Sequence, residues 1–428
     1  IFIQDIISKH RSSFYEYIGT MGRLSYFWKK LTPTEALEQS SGALETAFYE
    51  SVYRIAYIAG LSSSDHGMFY LIYSSLIKLM TALFVLGELW YACSESLSLD
   101  EIAACINVIV IQLITLCKLK NLMDHKDVYK RLATSMESPY FDISTKERKE
   151  IVDFWVKRHE RYLKLLLALG NSALAAWYMY PLLDELEYNL MVGVRLPFKY
   201  NTPFRYAITY IFICIAFNYT AHFVMVTDLI MQSHLIPLIC QYSVLADCFK
   251  NFTKNFHITF KQMINDKRFA KIYLRRLGDL VEQHKTILKN SIELRTILSI
   301  PMLGQLAASG ILICFVGYQS IAENITKCLM SLFYLGYNMF GLYIICRWCE
   351  EITIQSQNIG EAVYCSGWEE GMSRIRGVRT TIVLVMLRAN KPLIFSAGGM
   401  YNLSLTSYTT LVKASYSALT FLLRIQRE

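Results

Sequence analysis

The sequence predicts an all-α polytopic membrane protein with seven transmembrane helices, a cytosolic N-terminus, an extracellular C-terminus and a helical cytosolic anchor region. Three observations lead there. Of the 428 residues 54% are hydrophobic and only 18% charged, and mean hydropathy is +0.29; an ordinary soluble domain carries roughly 25% charge. Seven segments are long enough to cross about 30 Å of hydrocarbon. Basic residues sort by connection: 35 of the 43 Lys and Arg fall in 1–65, 118–164, 232–296 and 347–396, and six in 94–101, 183–205, 319–327 and 424–428. Lys and Arg accumulate on the cytosolic side, so this asymmetry sets the orientation.

The segments follow in order. Residues 68–93 form a long apolar run. Run 102–117 is shorter and carries Asn107 and Gln112. Runs 162–182, 206–231, 297–321 and 328–349 meet the length criterion. The seventh, 397–423, is less apolar and rich in hydroxyls, from Leu403 to Leu419. A helix facing only lipid has no use for so many hydroxyls, so this segment reads as the wall of an aqueous pore. The resulting division is a cytosolic segment 1–65, helices 1–4 in 66–231, a cytosolic projection 232–296, helices 5–6 in 297–349, cytosolic anchor helices 350–392 and a last helix in 393–428.

The cytosolic connections read as helices. Ser144-Thr145-Lys146-Glu147 has the form of a capping box opening a charged helix with Ile151, Phe154, Trp155 and Arg158. Phe269, Tyr273, Leu277, Leu280, His284, Ile287 and Ser291 recur every three or four residues, a helical stripe that runs on into the fifth span. Such projections are expected to pack on one another and on other subunits.

Several functions are excluded. The net charge of +8 does not indicate nucleic-acid binding, because the charges sort by membrane side. The eleven Cys, scattered mostly within apolar runs, read mainly as small buried apolar residues. The eight His are dispersed without metal-ligand spacing, and His159-Glu160 is expected to be solvated. His222 and Asp228 in span 4 are expected to have structural roles. No P-loop, GxSxG or HExxH is present, so neither an enzyme nor a cofactor is expected. The orientation, and the lack of DRY and NPxxY motifs, oppose a G-protein-coupled receptor. Asn324-Ile325-Thr326 is a sequon on the predicted outer side.

The C-terminal third resembles the insect odorant receptor family. Tyr364-Cys365-Ser366-Gly367-Trp368, Arg388-Ala389-Asn390-Lys391-Pro392, Leu403-Ser404-Leu405 and Lys413-Ala414-Ser415-Tyr416-Ser417 fall in the family's order and spacing. The resemblance implies a ligand-gated, non-selective cation channel in the plasma membrane of olfactory sensory neuron dendrites. It implies four subunits around one pore, with a tuned receptor paired with a shared co-receptor in a heterotetramer. The ending Leu422-Leu423-Arg424-Ile425 and the short connection between spans 4 and 5 differ from the co-receptor pattern, so a tuned, odorant-binding subunit is expected. A gustatory-type homotetrameric channel and a polytopic lipid enzyme are the alternatives. The expected partners are co-receptor subunits, a small volatile ligand and membrane lipids.

Such a ligand needs an apolar pocket with few polar points. The outer halves of four spans offer candidates: Cys105, Val108, Ile109 and Gln112 in span 2, and Trp177, Tyr178, Met179 and Tyr180 in span 3. Span 4 offers Tyr206, Thr209, Tyr210, Ile213 and Phe217, and span 6 Ser331, Tyr334, Leu335 and Asn338. Connection 183–205, with Asp184, Glu185, Glu187 and Pro197, is a candidate lid. On the last helix Leu405, Tyr408, Val412, Ser415, Tyr416, Leu419 and Leu423 form one stripe, expected to line the pore. The resemblance places a hydrophobic constriction at Leu419, where a leucine ring would block ions by dewetting. Lys413 is expected to face protein or to snorkel.

Overall fold

The computed structural model of the protein describes residues 28–93, 99–183, 189–252, 267–322, 325–369 and 375–427. After one turn, α1 (Glu35–Glu38), comes α2 (Ala43–Ile58), followed by α3 (Met68–Ala92) and α4 (Leu99–Asp124). A short α5 (Lys126–Thr134) precedes α6 (Lys146–Leu183), α7 (Pro203–Ser233) and α8 (Leu235–Lys250). The chain continues with α9 (Lys267–Ala322), α10 (Ile325–Tyr364), α11 (Val378–Ala389), a two-residue hairpin of β1 (Ser396–Ala397) and β2 (Tyr401–Asn402), and α12 (Leu405–Arg427). The first six apolar runs fall on α3, α4, α6, α7, α9 and α10, whereas the seventh, expected from 397, becomes helical only at Leu405, its first residues forming the hairpin before α12. By length and hydropathy alone, three described helical stretches could cross a membrane: Met68–Ala92, Pro203–Lys250 and Arg268–Cys314.

The exposed faces of α3 and α7 suit hydrocarbon. Phe69, Ile72, Leu76, Leu83 and Trp90 lie open on α3, as do Phe204, Ile208, Ile211 and Phe212 on α7. A soluble protein would not leave two such contiguous stripes in water.

Three helices, α6, α9 and α10, have 38, 56 and 40 residues and reach far beyond the hydrocarbon layer. At 1.5 Å per residue, α9 with 56 residues measures about 84 Å, nearly three times the hydrocarbon thickness. The extra length buries the predicted stripe: Tyr273 and Ser291 are fully enclosed, and Phe269, Leu277, Leu280, His284 and Ile287 are buried with them. This end, called the anchor end below, also holds α5, α8, α11 and the first turns of α6. At the start of α6, Thr145 rather than Ser144 supplies the cap: its hydroxyl accepts from the Arg148 amide at 3.4 Å. Arg148, one residue past the expected box, is buried and pairs with Asp142 at 2.5 Å and Asp247 at 3.0 Å, clamping α6 to α8. The Arg158 guanidinium sits 5.4 Å from the Trp348 ring and 5.5 Å from Trp155, joining α6 to α10. His159 is not solvated: it is 3% exposed, with its ring 6.2 Å from Phe48.

Two prolines shape the helices. Pro237, in the first turn of α8, has no N–H for the Ser233 carbonyl, and the α7–α8 rod breaks at His234. Pro301 lies inside α9 and leaves the Ile297 carbonyl without its helical partner. The Asn121 side chain of α4 donates to that carbonyl at 2.9 Å. Two residues on, the Ser299 carbonyl accepts from the Gly398 amide at 2.9 Å, which docks the hairpin on α9. All ten described cysteines are free; Cys240, Cys248, Cys346 and Cys349 are buried, while Cys93, Cys117 and Cys365 are exposed.

Candidate functional site

An apolar cavity lies between α4, α6, α7 and α10. These are the four helices the sequence nominated. Of the nominated residues, Val108, Gln112, Trp177, Phe217 and Tyr334 line it. The cavity sits deeper along the helices than expected, so it also takes in Gly170, Leu174, Thr220, Met225 and Tyr337. The aromatic wall is continuous: Trp177 lies 5.3 Å from Phe217 and 6.2 Å, edge to face, from Tyr334. Gly170 makes room at the wall, since a Cβ there would come 2.7 Å from the Met225 sulfur.

The other nominated residues do not reach the cavity. Ile213 and Thr209 are buried nearer the start of α7, with Ile213 packed in a cluster that includes Phe84, Met191 and Val194. Tyr210 donates to the Tyr178 carbonyl at 2.6 Å, Tyr178 to Asn218 Oδ1 at 3.0 Å and Tyr206 to the Asn189 carbonyl at 2.6 Å. These tyrosines join α6, α7 and the 189–202 segment into a cap over that end. The Arg195 amide donates to the Gly87 carbonyl at 3.1 Å, and its guanidinium sits 5.4 Å from the Trp90 ring. Ser331 and Asn338 are buried on α10, where Asn338 donates to the Tyr334 carbonyl at 2.9 Å. Cys105, Ile109 and Leu335 are half-buried outside the lining, and Met179 is exposed. Asp184, Glu185, Glu187 and Asn324 lie outside the described residues, as do the side chains of Tyr180 and Leu423.

Two polar groups beside the cavity lay inside runs read from sequence as apolar or as connections. Glu88 on α3 is buried and accepts from the Gln112 side-chain nitrogen. Lys118, assigned from sequence to a cytosolic connection, is instead 1% exposed and pairs with Asp228. The Lys118 ammonium also donates to Gln305 of α9, and the Tyr337 hydroxyl donates to Asp228 Oδ2 at 3.3 Å. The network therefore starts at a cavity-lining tyrosine and ends on α9. A lone charge in an apolar run, such as Glu88, was the available signal. His222 bonds the Asn218 carbonyl at 2.8 Å, the structural role expected of it.

One face of α12 packs on α9 and α10. Ser415 is 5% exposed, and its carbonyl accepts from the Cys314 thiol at 3.1 Å. Gly310 lets Leu411 approach, with a Cβ there 3.4 Å from the leucine methyl. Tyr408 meets Tyr343 edge to face at 5.8 Å, and the Leu405 amide donates to Glu350. The expected single stripe is thus split. Leu405, Tyr408, Val412, Ser415 and Leu419 are buried or half-buried, whereas Tyr416 shares an exposed face with Thr409, Lys413 and Ser417. Lys413 does not face its own protomer's helices. Thr409 and Thr410 donate to the Thr406 carbonyl, Ser417 to Lys413 and Thr420 to Ser417. Hydroxyls satisfied on their own backbone do not require water, so the case for an aqueous face rests on the exposed Lys413 and Arg424.

Among the described residues no cluster of His, Cys, Asp and Glu could hold a metal. Lipid-suited outer stripes, helices longer than a bilayer and an internal apolar cavity define a helical membrane protein that can enclose a small apolar molecule. The sequence model described as "7tm Odorant receptor" matches residues 98–416, and the chain belongs to the insect odorant receptor family, which consists of receptors and not enzymes. The chain is 24% identical to Odorant receptor 67a of Drosophila melanogaster over 314 residues, covering 70% of this chain and 75% of that one. It is 23% identical to Odorant receptor 94a of the same fly over 371 residues, covering 82% and 88%. Its fold is similar to the olfactory receptor OR5 of Machilis hrabei in complex with eugenol, with a TM-score of 0.74 at 16% identity, covering 90% of this chain and 100% of that one.

Proposed function

We propose that the chain is the tuned, odorant-binding subunit of a ligand-gated, non-selective cation channel in the plasma membrane. It crosses the membrane seven times with a cytosolic N-terminus and an extracellular C-terminus, and it pairs with co-receptor subunits in a heterotetramer. Residues 66–231 contribute most of the ligand-pocket bundle, 232–296 and 350–392 the cytosolic anchor, and 393–428 the pore-lining helix. The single observation that carries this reading is the apolar cavity between α4, α6, α7 and α10, beside a polar network that reaches the helix on which α12 rests. The Machilis hrabei receptor of similar fold is described in complex with eugenol, a small, largely apolar molecule.

A volatile that buries about 250 Å² of apolar surface gains about 6 kcal/mol at 25 cal/mol per Å², a Kd of tens of micromolar before the costs of association. Apolar contact alone therefore supports binding. Gating needs more, because only a difference in affinity between closed and open states moves the equilibrium. The cavity wall supplies a route. A ligand that displaces Tyr337 pulls on Asp228, and through Lys118 on Gln305. Gln305 lies one turn from Ser309 and Gly310, and Gly310 faces Leu411 and Ser415 of α12. Outward movement of α12 widens the conduit along its exposed face and cations pass.

Co-expression with a co-receptor subunit in oocytes, with an odour panel, tests the reading. Ligand-evoked cation current is expected, and silence despite surface expression overturns it. Cysteine scanning of α12 tests the pore. Thiosulfonate reagents are expected to alter current at Thr409→Cys and Tyr416→Cys and to spare Ser415→Cys; reversal of that pattern rejects the assigned face.

A further inference from the structure

We propose that the cavity selects ligands that carry a hydrogen-bond donor, a hydroxyl or N–H on an otherwise apolar skeleton, and that Gln112 reads this donor while Glu88 positions it. The inference rests on the cavity being the odorant site. Gln112 lines the cavity and is 5% exposed; Glu88 stands behind it on α3 and is 3% exposed. The Gln112 nitrogen is committed to Glu88 Oε2. Gln112 Oε1 and Glu88 Oε1 are both buried without a hydrogen-bond partner.

The orphan oxygen on the cavity side, Gln112 Oε1, is an amide carbonyl and so an acceptor, which gives the site a sign. A buried acceptor without a partner retains its desolvation cost, and a ligand O–H or N–H removes that cost on binding. An ether, ester or ketone of the same size leaves the acceptor unpaired and adds another. Other hydroxyls of the wall are already engaged: Thr220 donates to the Ala216 carbonyl and Tyr337 to Asp228. Gln112 is therefore the point where a donor gains most. Sites built around one such bond reject analogues that lack it far better than apolar walls reject a methylene.

Glu88 acts through Gln112 and is a positioning residue. Its carboxyl group holds the amide nitrogen and so turns the carbonyl oxygen away. In Glu88→Gln the new amide can donate to Gln112 Oε1 before any ligand arrives, which satisfies the acceptor and removes the preference.

The test compares isomers, so that atom count and apolar area stay nearly constant. Primary alkanols are applied beside their isomeric methyl alkyl ethers to oocytes that express this chain with a co-receptor subunit. Each alkanol is expected to activate at about tenfold lower concentration than its isomer, the value of one buried hydrogen bond. Gln112→Leu is expected to bring the ratio within about twofold, and Glu88→Gln to narrow it. A ratio near one in the wild-type channel, an ether preference, or an unchanged ratio in surface-expressed Gln112→Leu overturns the proposal and leaves the channel reading intact. If Gln112→Leu fails to reach the surface, the wild-type ratio decides. Silence to every compound overturns both.

Discussion

The Asn121 side chain donates at 2.9 Å to the Ile297 carbonyl, the carbonyl that Pro301 strips of its helical partner. A side chain of α4 thus completes the backbone of α9 where that helix would otherwise carry a buried orphan. Asn121→Ala is expected to cost about 1–2 kcal/mol, the penalty of a buried unsatisfied carbonyl. In a Pro301→Ala background the restored N–H makes Asn121 redundant, and the same substitution is expected to cost less than half as much. Thermal midpoints of the four proteins in detergent measure this non-additivity; equal costs in both backgrounds refute the linkage.

Lys118 and Asp228 form a buried pair that includes Tyr337 and Gln305. Removing one charge leaves the other unpaired in an apolar interior, at a cost of about 3–5 kcal/mol. Lys118→Met is expected to lose most surface expression. Adding Asp228→Asn should recover much of it without recovering normal ligand sensitivity, because Tyr337 loses its ionic acceptor. Surface labelling beside concentration–response curves separates the two effects.

His159 gives a pH dependence of known sign. Burial lowers its pKa from 6.5 to about 4, outweighing the opposing Phe48 backbone, and nearby His234 lowers it further. The unfolded chain therefore binds the proton first as pH falls. Stability is complete above about pH 6.5, declines from there toward pH 4, and is then lower by about 3 kcal/mol. Melting curves across this range should show the decline, and His159→Phe, beside Phe48, should make it shallower, with the remainder coming from His234 and His284, which burial lowers to about 4 as well. An identical decline in the variant would assign the effect to other groups.

Gly398 and Gly399 both have positive φ, +59° and +72°, but different surroundings. A methyl at 398 would meet Leu303 Cδ2 at 2.6 Å, whereas nothing lies within 4 Å of one at 399. Gly399→Ala is expected to cost only the left-handed backbone term, about 1–2 kcal/mol. Gly398→Ala adds a clash with α9 and threatens the Ser299 bond, so it should destabilise more. Equal midpoints for the two variants would count against the docked hairpin.

The anchor stripe from Phe269 to Ser291 was legible because its period is helical and its partners are local in pattern. The four helices around the cavity were legible too. Their depth was not: clustered tyrosines at the start of α7 drew attention, yet Tyr206 and Tyr210 bind backbone carbonyls in a cap. Phe217 was the innermost residue nominated on α7, and the wall continues one and two turns on, at Thr220, Ala221, Val224 and Met225. Lys118 escaped notice because a basic residue just past an apolar run reads as a connection, and only tertiary contact puts Asp228 within reach. Helical spacing grouped Ser415 with Tyr416, but adjacent residues point about 100° apart, and Cys314 decides which one turns inward. Gly170 gave no signal, since what it contributes is the absence of a side chain.

That absence has an evolutionary reach. Where Gly170 faces Met225, the chamber's breadth depends on one missing methyl opposite an unbranched thioether free to change rotamer. A single codon change at 170 would shrink the chamber and press on Met225 and, at 3.3 Å, on the Tyr337 ring. Duplicated copies of such a gene could part ways in the shape of molecule they admit by one substitution.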